Sequence, residues 1–305
     1  MKIGIDIGGS HIAVALVSEK GEIVSKIEED LVKKENIEKY IVDFVDSAIE
    51  KLNKNGDVTE MGIAAPGNPK GTVIKNIVNL KIDCINFETI EEKYNIKIKS
   101  INDGKAAALA EKRYGAMNGY KDCAFLCLGT GIGAAIFLNN RLLQSSRNPG
   151  FEIGHMIIQK NGNICNCGKR GCFETYCSMK RFKNKINDVL NKIDDNNIDI
   201  ENSKLSEGAL FKELLKKNIQ NGEIQKIIDE YIDDLVIGLS NVIDIFEPEV
   251  ICLGGSFVHF KDILYDRLIE KMNEKMYVFN KQSIPKIVLA KLQNDAGIIG
   301  ATLIP

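Results

Sequence analysis

The sequence predicts an α/β protein made of two related domains. Segments with the apolar alternation of strands are followed by segments with the apolar spacing of helices, which is the pattern of α/β proteins. A strand, a glycine-rich turn and a second strand occur at residues 3–17, and the same arrangement returns at 123–138. The two arrangements are roughly 120 residues apart, a separation that suits one domain for each of them.

The first half of the chain alternates predicted strands with predicted helices. Asn102 and Asp103 stand where one strand ends and a helix begins, and either side chain is a suitable N-cap for that helix. This position is also where site residues usually lie in α/β folds. The predicted strands are 3–7, 12–17, 22–27, 60–64 and 96–101, and the predicted helices are 36–53 and 106–114.

The second half repeats this alternation and adds a long helical stretch over 178–247, which a polar segment at 194–206 interrupts. The predicted strands here are 123–128, 132–138, 249–253 and 286–290, followed or separated by helices at 261–275 and from Asp295. We therefore expect a small N-terminal α/β domain over 1–117 and a large α/β domain over 118–293. The C-terminal helix, residues 294–305, is a candidate to pack back on the first domain.

Composition and charge exclude several classes of protein. The chain has 305 residues, of which 44% are hydrophobic and 27% are charged, as in ordinary globular proteins. A formal net charge of -2 provides no basic face, so no nucleic-acid partner is expected. No apolar run reaches the length of about 20 residues that a membrane span needs. The first strand starts at once, without the layout of a signal peptide, so we expect a cytoplasmic protein.

Three glycine-rich turns follow predicted strands, at 8–10, 129–133 and 254–256. Glycine lets backbone N–H groups approach a phosphate closely, and Ser10 and Thr130 add hydroxyl donors. Asp6, just before the first turn, is a candidate to hold Mg²⁺ through water. The alternative is that each turn is an ordinary hairpin that uses glycine for its positive φ. Neither a P-loop nor a GxGxxG motif is present, which argues against a dinucleotide-binding fold. Because the three turns end strands in both halves of the chain, a nucleotide held between two domains is the favoured interpretation.

A cluster of histidine and cysteine residues predicts a zinc site. Three of the eight cysteines, Cys165, Cys167 and Cys172, lie within eight residues, and His155 precedes them. One imidazole and three thiolates form a ligand set that structural zinc prefers. A zinc ion with four protein ligands has no open position, so it would be structural and would clamp a loop. The alternative is three unrelated thiols and an unrelated histidine.

Two carboxylates are tethered to this cluster along the chain. Glu152 precedes His155 by three residues, and Glu174 follows Cys172 by two. They are candidates to share one pocket, although each could equally be an ordinary surface residue. The remaining cysteines lie mostly in apolar segments and are expected to be core thiols; they are Cys84, Cys123, Cys127, Cys177 and Cys252.

Asp103 is the candidate general base, since a carboxylate at the end of a strand can accept the proton of an attacking sugar hydroxyl. Taken with the other motifs, it makes the sequence resemble the ROK group (repressors, open reading frames, kinases) of the actin-like sugar kinase superfamily, along essentially the whole chain. The motifs that carry the resemblance are Asp6-Ile7-Gly8-Gly9-Ser10, Ala64-Ala65-Pro66-Gly67, Asn102-Asp103-Gly104-Lys105-Ala106-Ala107, Gly129-Thr130-Gly131-Ile132-Gly133, Glu152-Ile153-Gly154-His155 and Cys165-Asn166-Cys167-Gly168-Lys169-Arg170-Gly171-Cys172-Phe173-Glu174.

The resemblance implies a two-domain actin-like ATPase (ribonuclease H-like) fold with an ATP and sugar cleft between the domains, commonly in a homodimer. Asp103 would take the proton from the sugar 6-hydroxyl. His155 would bind zinc through one nitrogen and face the sugar with the other. The implied sugar-binding residues are Gly67, Asn68, Asn102, Glu152, His155 and Glu174; those implied for ATP and Mg²⁺ are Asp6, Gly8, Gly9, Ser10, Thr130, Gly131, Gly133, Gly254 and Gly255.

Two departures from the family pattern leave the substrate open. Phe151 stands where the family has a small residue, and the chain has no Trp, which is common after the Asn79-Leu80 position in glucokinases of the group. The first hypothesis is a glucokinase, with N-acetylmannosamine, N-acetylglucosamine, allose or fructose kinase as alternatives. The second is a sugar-responsive repressor, which would need a DNA-binding domain before the first strand. The third is an inactive sugar sensor, against which Asp103 argues.

Overall fold

The computed structural model describes residues 1–31, 34–54, 58–144, 151–193, 207–274 and 284–305. Contacts divide them into two compact units. Unit 1 comprises Met1–Phe125, Ala135–Phe151 and Ala290–Pro305, and unit 2 comprises Leu126–Ala134 and Glu152–Leu289. These units alternate along the chain. The predicted domains change near residue 117, with the C-terminal helix from residue 294 as a candidate to return to the first domain, and these boundaries stay a prediction. The predicted polar segment at 194–206 lies outside the described residues.

The strands and helices have the following bounds. The strands are β1 (Lys2–Ile7), β2 (His11–Val17), β3 (Ile23–Asp30), β4 (Glu60–Ala65), β5 (Asn68–Lys70), β6 (Val73–Ile77), β7 (Ile82–Asn86), β8 (Ile98–Asn102), β9 (Cys123–Leu128), β10 (Ile132–Leu138), β11 (Arg141–Leu142), β12 (Val250–Gly254) and β13 (Lys286–Leu289). The α-helices are α1 (Ile37–Leu52), α2 (Glu88–Tyr94), α3 (Asp103–Arg113), α4 (Glu174–Cys177), α5 (Met179–Leu190), α6 (Glu207–Lys217), α7 (Gly222–Phe246), α8 (Lys261–Met272) and α9 (Ala296–Ala301).

The first sheet, in unit 1, places the candidate site residues at one edge. Its strand order is β3-β2-β1-β4-β8, and β1, β4 and β8 run parallel to one another. Asp6 is paired in register with Ala64, and Ala65 with Asn102. The carboxyl ends of these three strands therefore meet at the same edge, which is where ligands bind in open α/β sheets.

The core of unit 1 lies between this sheet and α1. The buried residues of α1 recur at helical spacing, as Ile41, Val45, Ala48 and Ile49, so one face of the helix packs on the sheet. α9 packs against α3, β1 and β4, and glycines allow it to approach their backbones closely. A Cβ atom added to Gly300 would lie 1.7 Å from the Ala106 carbonyl oxygen, and one added to Gly62 would lie 1.8 Å from the Ala301 carbonyl oxygen.

The second sheet has the strand order β11-β10-β9-β12-β13. In unit 2, the long helix α7 packs against α4, α5 and α8. Aromatic rings fill this contact: the Phe182 ring centroid lies 4.9 Å from that of Tyr231 and 6.2 Å from that of Phe260. Within the described residues, the predicted helical stretch after residue 178 corresponds to α5, α6 and α7.

The sequence analysis missed a small antiparallel sheet of order β5-β6-β7 and the helix α2. The strands are short and carry polar residues, and Pro69 lies in β5, so they lack the apolar alternation on which strand prediction depends. One cysteine assignment was wrong, because Cys84, on β7, is exposed. In the part of the chain that the structure describes, no helix combines the length and apolarity that a bilayer crossing needs.

Candidate functional site

Asn102 and Asp103 occupy the junction between β8 and α3. The Asn102 Oδ1 atom accepts hydrogen bonds from the backbone N–H groups of Gly104 and Lys105 at 3.1 and 3.4 Å, so Asn102 is the N-cap. The Asp103 side chain is exposed, and its Oδ1 atom accepts a hydrogen bond from the Gly104 N–H at 2.8 Å. Asn102, and not Asp103, thus caps α3. The second carboxylate oxygen of Asp103 does not take part in the contact with the Gly104 N–H.

Burial and a neighbouring charge raise the pKa values of the carboxyl groups at this edge of the sheet. The pKa of Asp6 is raised from 3.8 to about 7, first because burial removes water from its carboxyl and then because Asp103 is nearby. Although Asp103 is reached by solvent, the surrounding protein removes part of the water from its carboxyl and raises its pKa, against the opposing effect of its backbone hydrogen bonds. Raised carboxyl pKa values are typical of groups that transfer protons near neutral pH.

Replacing Asp6 by Asn is expected to stabilise the protein at alkaline pH when no Mg²⁺ is added. An acid with a raised folded-state pKa favours the protonated form, so the free energy of unfolding falls as pH rises from 3.8 to about 7. Asn carries no such penalty. The stability gain of Asp6→Asn over wild type should be larger at pH 8 than at pH 5.5, by about 1–2 kcal/mol.

Urea denaturation at the two pH values measures this difference. Asp43→Asn, which changes an exposed residue of α1, is the control for the removal of one carboxylate, and its effect on stability at pH 8 should be smaller than that of Asp6→Asn. An Asp6→Asn gain of equal size at both pH values would contradict the stated cause.

The other candidate residues of unit 1 lie in two glycine turns. The Gly8 N–H donates to the His11 carbonyl oxygen at 2.8 Å, which closes the turn between β1 and β2, and Gly9 and Ser10 are exposed there. Gly67 has a φ of 83°, and a Cβ atom at this position would lie 2.4 Å from the Lys75 carbonyl oxygen. Only glycine suits the backbone conformation at position 67. The next residue, the exposed Asn68, begins β5.

Two further glycine turns lie close together in unit 2. The turn after β9 is closed by a 3.0 Å hydrogen bond from the Gly129 N–H to the Gly131 carbonyl oxygen, and Thr130 and Gly133 are exposed. Gly254 ends β12. The next residue, Gly255, has a φ of 69°, and a Cβ atom there would lie 2.6 Å from the Leu128 carbonyl oxygen. The second turn therefore packs against the end of β9.

The predicted metal ligands meet in unit 2. One ligand atom from each of His155, Cys165, Cys167 and Cys172 lies within 4.8 Å of all the others. His155 Nδ1 is 3.5 Å from Cys165 Sγ, and the Sγ atoms of Cys167 and Cys172 are 3.6 Å apart. A tetrahedron with Zn–S and Zn–N bonds near 2.3 and 2.0 Å implies ligand atoms about 3.5–3.8 Å apart. The arrangement fits a four-coordinate zinc ion.

The loop that carries these ligands depends on two glycines. Gly168 and Gly171 have φ values of 86° and 81°, and a Cβ atom on Gly171 would lie 1.8 Å from the Gln159 carbonyl oxygen. Burial raises the pKa of the Cys165 thiol to about 12, whereas the Lys169 backbone N–H lowers the pKa of the exposed Cys167. A bound cation would favour the thiolate form of all three cysteines.

Glu174 lies between the ligand cluster and the glycine turn after β9. Its Oε1 atom is 3.2 Å from Cys165 Sγ and 3.6 Å from His155 Nδ1. Its Oε2 atom would lie 2.7 Å from a Cβ atom at Gly131. Glu174 therefore lies next to both the ligand cluster and the glycine turn after β9. The sequence suggested the first of these two neighbours. Glu152 is exposed, and its carbonyl oxygen accepts the His155 N–H at 3.0 Å.

The structure thus brings the predicted residues together in two groups. In unit 1, Asp6 and the Asn102–Asp103 pair share one edge of the first sheet. In unit 2, the metal ligands, Glu174 and the turns after β9 and β12 are neighbours. Sequence reasoning missed Gly297: a Cβ atom there would lie 2.5 Å from Asp6 Oδ2. No local pattern could reveal this contact, because it joins the two ends of the chain.

Comparison with known proteins identifies relatives over the full length. The chain is 29% identical over 309 residues to a glucokinase of Thermotoga maritima, covering 99% of this chain and 96% of that enzyme. It is 27% identical over 310 residues to a xylose repressor of Caldicellulosiruptor bescii, covering 98% of this chain and 76% of the repressor. The structure of a ROK family glucokinase from Streptomyces griseus, in complex with glucose and AMPPNP, superposes with a TM-score of 0.76 at 24% identity, covering 99% and 97% of the two chains.

The fold matches that of this ROK glucokinase structure, which is an actin-like ATPase fold, and this confirms the predicted fold class. The sequence model of the ROK family matches residues 2–305. The chain belongs to the ROK family, as its motifs indicated. Its relatives include both glucokinases and xylose repressors, so membership alone does not fix the activity.

Proposed function

We propose that this protein is an ATP-dependent sugar kinase that phosphorylates a hexose at its 6-hydroxyl, with glucose as the preferred substrate. The observation that carries the proposal is the position of Asp103. It lies at the carboxyl end of a parallel strand, is reached by solvent, and has one oxygen held by the Gly104 N–H. A carboxylate held in this way can accept the proton of a sugar hydroxyl as that oxygen attacks the γ-phosphate.

Six residues are proposed to bind the sugar. Gly67, Asn68 and Asn102 are the three that belong to unit 1, and the side-chain oxygen Oδ1 of Asn102 already caps α3. From unit 2, Glu152 and Glu174 would accept hydrogen bonds from ring hydroxyls, and His155 would use Nε2, since Nδ1 faces the cysteines. Carboxylates and imidazole discriminate strongly between sugars because a missing hydroxyl would leave them unpaired.

The nucleotide would be bound by the glycine turns. The exposed Gly9, Ser10 and Thr130 offer backbone N–H and hydroxyl donors for phosphate oxygens. Gly8, Gly131 and Gly133 would add further backbone N–H donors. Gly254 and Gly255 would lie on the adenosine side. Asp6 would hold Mg²⁺ through water, and its pKa of about 7 means that this cation competes with a proton. When bound, Mg²⁺ neutralises charge on the transferred phosphoryl group.

Zinc would be structural in this proposal. His155 and the three cysteines supply four ligand atoms, so no position remains for the substrate. The ion would hold the loop from His155 to Cys172 and thereby fix Glu174, whose carboxylate touches two of the ligands. The chemistry at the sugar would belong to Asp103.

A homodimer in the cytoplasm, with no nucleic-acid partner, remains the expected state of the protein.

A sugar-responsive regulator is the second candidate. The match to the xylose repressor of Caldicellulosiruptor bescii covers 98% of this chain, so one relative of this length of sequence is a repressor. A regulator would bind a sugar without consuming ATP. The two candidates are therefore separated by turnover and not by sugar binding.

Sugar-dependent ADP release tests the proposal. Zinc-loaded protein with Mg²⁺ and ATP should release ADP with glucose, and the kcat/KM for glucose should exceed the values for mannose, fructose, N-acetylmannosamine, N-acetylglucosamine and allose. A higher value for another hexose would replace glucose but keep the kinase. Calorimetric binding of a sugar without any ADP release above the sugar-free background would favour the regulator instead.

A further inference from the structure

A fully buried carboxylate lies in the helix that begins with Asp103. Glu111, in α3, has no solvent-exposed surface. Its Oε1 atom accepts the backbone N–H groups of Lys291 and Leu292, and its Oε2 atom accepts that of Ala116, each at 2.7 Å. Hydrogen bonds from backbone N–H groups to a carboxylate are short and roughly twice as strong as neutral ones. Glu111 thus fastens two separate segments of backbone to α3.

One of these segments leads directly to the candidate active site. Lys291 and Leu292 follow β13 and precede α9, which packs against α3 and β1. Close contacts along α9 permit little movement. A Cβ atom on Gly297 would lie 2.5 Å from Asp6 Oδ2, and one on Gly300 would lie 1.7 Å from the Ala106 carbonyl oxygen in α3. α9 therefore touches both the Asp6 carboxylate and the helix that begins with Asp103.

The role of Glu111 follows from this chain of contacts. If the carboxylate did not hold Lys291 and Leu292, the start of the C-terminal segment could shift, and α9 would shift with it. Such a shift would change the position of Asp6 relative to Asp103. A misplacement of about 1 Å in a phosphotransfer site can lower the rate about a hundredfold without a direct contact to the substrate.

We propose that Glu111 is a positioning residue for phosphoryl transfer, which acts by anchoring the 291–292 segment so that α9 holds Asp6 in place beside the helix of Asp103. The proposal rests on the proposed kinase function. It assigns Glu111 no contact with sugar, ATP or metal. Its effect should appear in the rate of transfer and not in the affinity for the sugar.

The test compares Glu111→Gln with a matched control. Gln keeps the shape of Glu111 but has no charge and only one acceptor oxygen. It can accept from Lys291 and Leu292 or from Ala116, but not from all three, and the hydrogen bonds that remain are weaker because their acceptor is neutral. The control is Glu91→Gln: the Glu91 Oε2 atom also accepts a backbone N–H in unit 1, from Ile98 at 2.6 Å, at the amino end of β8 and away from the candidate site. Two readouts are used: steady-state kinetics and hydrogen exchange of peptides covering residues 290–301.

Glu111→Gln should lower kcat by roughly ten- to a hundredfold and leave the sugar KM within about twofold, while exchange at 290–301 becomes at least about tenfold faster. Glu91→Gln should alter neither readout. A kcat within twofold of wild type together with faster exchange would overturn the positioning role, and unchanged exchange would overturn the anchoring itself. Should Glu111→Gln not fold, Glu111→Asp, which keeps the charge but is one methylene shorter, is held to the same outcomes.

The two readouts also separate this proposal from the proposed function. Absence of sugar-dependent ADP release by the wild-type protein would remove the kinase assignment and, with it, the catalytic role of Glu111. Faster exchange in Glu111→Gln alone would then still identify Glu111 as the anchor of the C-terminal segment.

Discussion

Replacing Asp103 by Asn is expected to leave sugar binding intact and to lower kcat by roughly 10²–10⁴-fold, the usual contribution of a general base. Asn has the size of Asp and can still accept the Gly104 N–H, so the junction between β8 and α3 should be preserved. It cannot take up the proton of a sugar hydroxyl. Steady-state kinetics and calorimetric sugar binding measure the two effects separately.

The control for this substitution is Asp266→Asn, which changes an exposed residue of α8 in unit 2 and should retain wild-type kinetics. Retention of more than about a tenth of kcat by Asp103→Asn would exclude the general-base role, since such groups contribute at least about a hundredfold. A large loss of sugar affinity would indicate that Asp103 acts mainly in binding.

Replacing Cys167 by Ser is expected to remove zinc and, as a consequence, to weaken sugar binding more than ATP binding. Cys167 supplies one of the four clustered ligand atoms, and a serine hydroxyl is a poor zinc ligand because it does not ionise readily. Without the ion, the segment from His155 to Cys172 loses its clamp. Glu174, in contact with two of the ligands, would then lose its fixed position.

Zinc content per chain and the KM values for sugar and ATP measure this effect. Cys84→Ser is the matched control, because Cys84 is also exposed but lies in unit 1, outside the ligand cluster. It should retain zinc and both KM values. Undiminished zinc in Cys167→Ser, or an unchanged sugar KM after zinc is lost, would contradict the structural role of the ion.

The parts of the site that the sequence predicted are those defined by short local patterns. The junction at Asn102 and Asp103 follows from a strand that runs into a helix, and the spacing of Cys165, Cys167 and Cys172 predicts their convergence, which the structure confirms. Both patterns need only a few consecutive residues. Gly168 and Gly171 belong to the same short pattern, and both have positive φ values.

The parts that the sequence did not reveal depend on contacts between distant segments. Glu111 looks like one charged residue at the end of an alanine-rich helix, and only folding shows that it binds backbone at 291–292. Gly297 packs closely against the Asp6 carboxylate, although Asp6 lies at the other end of the chain. The sheet of β5, β6 and β7 was missed for another reason: its short polar strands are stabilised by pairing with one another and not by a strong apolar pattern.

Transfer of the γ-phosphoryl group tests the central claim most directly. Zinc-loaded protein is incubated with Mg²⁺, ATP and glucose. The position of the transferred phosphoryl group on the sugar is then determined by NMR. The wild-type protein should form glucose 6-phosphate with one ADP released per sugar, and Asp103→Asn should form almost none in the same time. Formation of no phosphorylated sugar by the wild-type protein from any hexose of the panel, or equal formation by both proteins, would contradict the account.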